Sequence, residues 1–295
     1  MLMNYKTKKN GDDFKMKDGI LIIDKPKDFT SHDVVAKIRK IIGTKKVGHT
    51  GTLDPMATGV LVVCVGAATK LVEYFTAHDK VYEAKVKLGI KTDTADITGN
   101  IIKEMPSETL SVIQENKEKI EKEIKGFIGK QKQIPPMYSS IKVNGMKLYE
   151  YARKGIEVKI EPREIEIYDI YNISINGDEI SYTVHCSKGT YIRSLCEDIA
   201  EKLGTCGTMS YLRRVKTGDF SIEDAITLDE INEEKIYLME KLFDNKIQVE
   251  KDLNKLINGM EIPCDKPDGL YSLYTNCYIG IGKITNKKLK REIIL

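Results

Sequence analysis

Apolar residues along the chain fall into short unbroken runs and stripes at helical spacing, and their alternation predicts a mixed α/β protein. Gly19 to Asp24 is a run of the first kind, a buried strand that Lys25-Pro26 ends. Thr30 and Ser31 offer an N-cap for the next element, with Asp33 in its first turn. Val34, Val35, Ile38, Ile41 and Ile42 form its apolar stripe, and Gly43 stops the helix. Val60 to Val63 is a second buried strand. Residues 67–75 suit a short helix carrying Lys70, and Val81 to Leu88 an alternating strand carrying Tyr82. A turn-rich loop over 92–100 precedes a charged helix over 107–125, with Leu110, Ile113, Ile120 and Ile124 on one face.

Further on, Gln131 to Ser140 is a Pro-interrupted loop with Tyr138, followed by a short helix containing Tyr149, Tyr151 and Arg153. Interleaved Pro, Tyr, Lys and Arg suit an insert that grips a nucleic-acid backbone. An ordinary loop with packed tyrosines fits the same residues equally well. Strands over 165–174 and 180–186 flank the Asn176-Gly177-Asp178 turn. Thr190 is a plausible N-cap for a helix running to Leu203, which puts Arg193 in its first turn. The helix dipole disfavours a cation there, so Arg193 calls for an anion: Asp54, or a surface carboxylate. A strand over 209–215 and a helix over 227–242 follow. From about Asn245, glycines and prolines punctuate short β-like runs that predict a small all-β C-terminal domain, its Lys-rich end a solvated face or an anion contact.

The densest chemistry lies in Val47 to Val63, VGHTGTLDPMATGVLVV. Asp54 stands between Leu53 and Pro55, with Gly48, Gly51, Thr58 and Gly59 around it. One carboxylate on a stiff loop feeding a core strand is how a catalytic group is mounted. An Asp-Pro pair beside glycines is also a common turn, and on these residues alone the turn comes first. A Walker-type phosphate loop is excluded, since Gly59 is followed by Val60 rather than by Lys and a hydroxyl residue.

Composition narrows the class. With 295 residues the chain suits about two domains and needs no staples. No apolar run approaches the ~20 residues that cross a bilayer. The first 18 residues are a polar, Lys-rich extension without the apolar core of a secretory signal. Cys64, Cys186, Cys196, Cys206, Cys264 and Cys277 form no C-x-x-C pair, which argues against a zinc site and fits a reducing cytoplasm. A net charge of +3 says little about nucleic acid, but residues 1–50 hold twelve Lys and Arg against six Asp and Glu. That local excess suits an anionic partner near the Asp54 loop.

In order along the chain, GILIIDKP, GHTGTLDPMATGVL, ATKLVEYF with DKVYEA, QIPPMYSSIKVNG, KLYEYARKG, HCSKGTYIRSL and YLRR closely resemble the motifs of the bacterial tRNA pseudouridine synthase B family. They span about residues 19–216 with no departure at a motif position. The resemblance implies an α+β catalytic domain over 19–244, built on a curved, largely antiparallel sheet with flanking helices. It adds an RNA-gripping insert at about 131–159 and a PUA-like C-terminal domain over 245–295. No cofactor or metal is implied. The implied activity is isomerisation of the T-loop uridine at tRNA position 55 after base flipping. The enzyme would act as a cytoplasmic monomer on tRNA, without guide RNA, membrane or obligatory protein partner. Carried over by motif, Asp54 is the nucleophile, Tyr82 stacks on the base and serves in proton transfer, and Arg193 pairs with Asp54. His49 fills the space left by the flipped base, Lys25 and Lys70 lie near the phosphates or the frame of the site, and Tyr191 and Leu212 wall the pocket.

Those roles suit the chemistry. Forming pseudouridine breaks the N-glycosidic bond, turns the base and rejoins it through carbon. A carboxylate can add to base or ribose as a covalent nucleophile. Arg193 in reach would aim it and lower its pKa. The rival function is a tRNA-binding folding factor with a vestigial loop, against which stand the intact Asp54, Tyr82 and Arg193. A third is the same chemistry directed by a guide RNA.

Overall fold

In the computed structural model, which describes residues 17–106 and 117–295, the two unbroken apolar runs pair antiparallel within a ten-stranded sheet. They are β1 (Gly19–Lys25) and, beyond α1 (Ser31–Ile42) and β2 (Val47–His49), β3 (Thr58–Val65). Both runs lack alternation because both faces are covered. Leu21, Ile23, Leu61 and Val63 pack on α1, while Ile20, Ile22, Val60 and Val62 face the opposite layer. α1 starts with a capping box: Asp33 N–H donates to Thr30 Oγ1 at 3.1 Å, and Thr30 N–H to the Asp33 carboxylate at 2.9 Å. Val34, Val35, Ile38 and Ile42 are buried, but Ile41 flanks the stripe and stays exposed.

The helix expected over 67–75 is a 3₁₀ turn (Gly66–Leu71) followed by α2 (Val72–Thr76). Thr69 Oγ1 donates to Gly66 O at 2.7 Å and tightens that turn. Then come β4 (Lys80–Leu88), the hairpin β5 (Ile90–Thr92) and β6 (Ile101–Glu104), α3 (Lys117–Lys125) and β7 (Gly129–Gln133). α3 is the described part of the helix expected over 107–125; Leu110 and Ile113 lie outside the described residues, as do residues 1–16. The small hairpin β8 (Lys142–Val143) and β9 (Met146–Lys147) leads to α4 (Leu148–Arg153). β10 (Arg163–Asn176), β11 (Glu179–Cys186), α5 (Ile192–Lys202), β12 (Gly207–Thr217), β13 (Phe220–Ser221) and β14 (Tyr237–Leu238) complete the large sheet and its cover.

The large sheet runs β14-β1-β3-β12-β4-β11-β10-β7, with β2 on β3 and β13 on β12. Its named strands pair antiparallel except at β3–β12, a short parallel seam of Thr58 with Arg213 and Gly59 with Arg214. Gly59 has φ 100°, and a Cβ there would meet Arg214 O at 2.2 Å, so the seam closes only on glycine.

Residues 227–242 are not the expected helix. They form 3₁₀ turns at Glu233–Lys235 and Met239–Lys241 around β14. The Asn232 side chain accepts from Glu234 and Lys235 N–H at 2.9 and 3.2 Å and starts a new turn mid-segment. Leu228, Ile231 and Ile236 then reach the α1 layer, while Tyr237 pairs with Ile20 on the edge of β1.

A second sheet of five strands contains β15 (Lys246–Gln248), β16 (Ile262–Pro263), β17 (Gly269–Tyr274), β18 (Tyr278–Thr285) and β19 (Lys288–Ile294), in the order β15-β17-β18-β19-β16. Leu256, Leu273, Ile284 and Leu289 form its own core. Ile281 and Ile293 instead share one apolar cluster with Ile20, Ile22, Val60 and Val62, so this sheet backs the strands that flank the Asp54 loop. Ile281→Ala is expected to cost about 2–5 kcal/mol. Calorimetry should show one transition moving down as a whole. A separate early transition with the main one unmoved would contradict this shared core.

Candidate active site

The crossing from β2 to β3 carries Asp54, and hydrogen bonds fix the backbone on both sides of it. Leu53 N–H donates to Ser31 Oγ at 2.9 Å, and Pro55 O accepts from Asp28 N–H at 2.8 Å and Lys25 Nζ at 3.2 Å. Ala57 N–H closes a turn onto Asp54 O at 3.0 Å. Leu53, Met56 and Ala57 drop into the main core, which leaves Asp54 as the polar group of the segment, its side chain 33% exposed. The local structure is therefore a turn, and one that presents a carboxylate at a fixed place.

Arg193 approaches from the first turn of α5. The helix begins after Tyr191, not Thr190, whose hydroxyl bonds back to Ser187 O at 3.0 Å. Gln133 on β7 holds the start instead: its side chain accepts from Tyr191 N–H at 2.8 Å and donates to Tyr191 O at 3.0 Å. The Arg193 side chain is 5% exposed, with Nε 2.9 Å from Asp54 Oδ2 and Nη2 3.3 Å from Asp54 Oδ1. Its other donors reach Tyr138 O at 2.7 Å and Thr94 O at 3.0 Å, and Asp96 Oδ2 lies 3.8 Å from Nη1. This is a two-point ion pair in which Nη2 is the hydrogen-bond donor to Asp54, with two backbone carbonyls taking further donors.

Burial pushes the Asp54 carboxyl above the ordinary aspartate range, Arg193 pulls it back, Asp96 adds to the rise and Lys25 opposes it. The net direction is upward, the reverse of the lowering expected from Arg193 alone. Withdrawing a carboxylate from water outweighs one favourable cation, and a second carboxylate lies nearby.

Tyr82 on β4 and Leu212 on β12 belong to the same buried cluster as Leu53 and Met56. Burial raises the Tyr82 phenol against the pull of Arg214 and keeps it neutral near neutral pH. Tyr191 is half-buried, its phenol likewise raised by burial. His49 ends β2, where its Nδ1 accepts from Gly51 N–H at 3.4 Å and its ring meets His32 edge-on at 5.4 Å. Burial, His32 and Arg214 pull its pKa down to about 4, so the imidazole is neutral with its proton on Nε2.

The two lysines part company. Lys25 is fully buried, and its Nζ donates to Pro26 O, Phe29 O and Pro55 O at 2.9, 2.6 and 3.2 Å. Burial lowers it to about 8, and it belongs to the frame beneath the loop rather than to a phosphate contact. Lys70 is exposed on the 3₁₀ turn, with no hydrogen bond or ion pair to another described residue. Four residues that hold the site are given no part in it by the sequence argument: Ser31, Asp96, Gln133 and Arg214. Asp96 is 6% exposed, and its Oδ1 accepts from Thr94 Oγ1 and Thr98 N–H, both at 3.0 Å. The repeated Asp and Thr of TDTADITGN, which bond to their own backbone, were the signal available for it.

Among the described residues, no group of three or more His, Cys, Asp or Glu is placed to hold a metal ion, and no helix is long and apolar enough to cross a membrane. Residues 39–192 match the family model of the TruB family pseudouridylate synthase N-terminal domain. Residues 193–263 match that of the tRNA pseudouridylate synthase B C-terminal domain. The chain is 45% identical to tRNA pseudouridine synthase B of Clostridium tetani, over 92% of this chain and 97% of that one. It is 51% identical to the protein of the same name from Bacillus subtilis, over 73% of this chain and 70% of that one. A crystal structure of a Cbf5-Nop10-Gar1 complex contains a chain of similar fold, with TM-score 0.66 and 28% identity over 92% of this chain and 79% of that one. With both family models matched end to end across the Asp54 loop, α5 and β12, the chain belongs to the TruB family of pseudouridylate synthases and is an isomerase.

Proposed function

We propose that this protein is a tRNA pseudouridine synthase that isomerises the T-loop uridine at position 55, with a flipped base and Asp54 as covalent nucleophile. The observation that carries this reading is the two-point Asp54–Arg193 pair beside the buried Tyr82 and Leu212. The names of the Clostridium tetani and Bacillus subtilis relatives support tRNA as substrate. The flipped uracil lies on the Tyr82 face against Leu212 and Tyr191, and neutral His49 fills the gap left in the RNA. Asp54 adds to base C6 or ribose C1′, the N1–C1′ bond breaks, and the uracil turns. C5 then bonds to C1′, the bond to Asp54 breaks with its electron pair returning to the carboxylate, the C5 proton leaves and N1 takes up a proton. Arg193 aims the carboxylate and shares its charge. A neutral Tyr82 phenol offers a stacking face and a hydroxyl relay rather than a phenolate base.

The insert over 131–159 supplies the RNA grip. Exposed Lys130 and Lys132 lie nearby on β7, and Lys147 and Arg153 stand 5.5 and 5.4 Å from the Tyr149 ring. In this reading the enzyme works as a monomer, without guide RNA or obligatory protein partner. Incubating purified protein and an unmodified tRNA transcript, with no cofactor or guide RNA, and mapping pseudouridine at single-nucleotide resolution tests the reading. One product in the T-loop is expected. Product elsewhere, or tight binding without product, overturns it; the latter outcome is that of a folding factor.

Asp54→Asn is expected to slow single-turnover conversion by about 1,000-fold or more while tRNA affinity stays within about threefold. The same variant should melt at or above the wild-type temperature. A folded-state pKa raised above the unfolded value means the folded protein prefers Asp54 protonated, so its charge at pH 7 costs stability that neutral Asn relieves. A melting temperature several degrees lower would contradict the electrostatics. Arg193→Gln removes the cation that lowers the Asp54 carboxyl, so the acid limb of the pH–rate profile should move to higher pH. The maximal rate should fall by about 100-fold or more. An unmoved acid limb would show that Arg193 does not act on the Asp54 charge.

A further inference from the structure

Arg214 is the largest fully buried side chain among the described residues, at 2% exposure. Among the described residues no carboxylate lies within salt-bridge distance of it. Buried Lys25 and Lys80 add their positive charge to its surroundings. A buried cation without an ionic partner is costly, and an apolar side chain of similar size is commonly better tolerated. Stability alone therefore gives no reason for an arginine here.

Its contacts do. Nε donates to Val60 O at 2.7 Å and Nη2 to Gly51 O at 3.2 Å, on the two sides of the Asp54 segment. Through its backbone, Arg214 pairs with Gly59 on one side and with Tyr82 on the other. One residue of β12 is thus where the loop bearing the carboxylate meets the strand bearing the aromatic face. The neighbouring Arg213, on the opposite face of β12, donates to Asp24 Oδ1 and Oδ2 at 3.1 and 2.8 Å and to Thr58 Oγ1 at 3.2 Å. The seam is therefore clasped from both sides of the sheet.

We propose that Arg214 is a positioning residue: its guanidinium ties both ends of the Asp54 loop to β12 and so sets the separation between the Asp54 carboxylate and the Tyr82 ring. The proposal rests on the function proposed above. It assigns Arg214 no contact with RNA, so loss of the tie acts on the chemical step and not on binding. A lysine keeps the charge but reaches one carbonyl, not two with the fork geometry of arginine.

Single-turnover pseudouridine formation and tRNA binding are measured for wild type, Arg214→Gln and Arg214→Lys, with reaction amplitude reporting the fraction of competent enzyme. In Arg214→Gln the rate constant should fall by about 100-fold, the loss that a misplacement near 1 Å brings, with tRNA affinity within about threefold of wild type. Arg214→Lys should recover part of that rate. Should the glutamine variant fail to fold, the lysine variant decides, with a rate constant expected about tenfold or more below wild type at unchanged affinity. A lower amplitude at the wild-type rate constant would overturn the proposal, because Arg214 would then act on folding alone. A loss confined to tRNA affinity would overturn it too, making Arg214 a phosphate contact. A wild-type protein that forms no pseudouridine would instead remove the function on which the proposal rests.

Discussion

Everything at the site depends on keeping a charged carboxylate where water is scarce. Asp54 can serve as the proposed nucleophile only if its charge survives burial, and Arg193 is the foremost group opposing the rise in its pKa. That arginine is itself buried, and it is held by an ion pair with Asp54 at two points and by donation to Thr94 O and Tyr138 O. The second partner of the pair thus draws in the 92–100 loop and the 131–159 insert. The segment proposed to grip RNA is bonded directly to the cation proposed to aim the nucleophile.

The scaffold behind the pair follows from the same demand for fixed geometry. β1 and β3 are covered on both faces, one by α1 and the other by a layer that includes Ile281 and Ile293 of the second sheet. The Asp54 segment therefore ends on a strand, β3, that has little room to shift. Lys25 and Arg214 donate to carbonyl oxygens beneath it, with no carboxylate in salt-bridge distance among the described residues, a costly arrangement away from a functional site. Such local expense is common where a site is built for activity rather than stability.

Much of this was legible in the sequence, for physical reasons that differ from element to element. The runs of β1 and β3 were plain because continuous burial leaves continuous apolar residues, and the capping box of α1 is written in four adjacent residues. Arg193 drew notice as a cation in the first turn of a helix, and its partner is the one named for it. Residues 227–242 misled because Glu and Lys throughout the segment suit a helix, while one asparagine side chain restarts the backbone at Glu233. Ser31 and Arg214 were invisible because they act on backbone groups 22 and 163 positions away, which leave no trace in side-chain pattern. Lys25 and Lys70 looked alike as surface charges, and only burial separates them.

The charge state of Asp54 is where fold, site and chemistry meet, and it can be observed directly. Isotope-edited infrared difference spectra of wild type minus Asp54→Asn, taken across a pH titration, report that one carboxyl. The expected result is a single midpoint above the ordinary aspartate value, with the carboxylate ionised at neutral pH. A midpoint at or below the ordinary value, or a carboxyl still protonated at neutral pH, would contradict a nucleophile held ionised by Arg193 against its own burial.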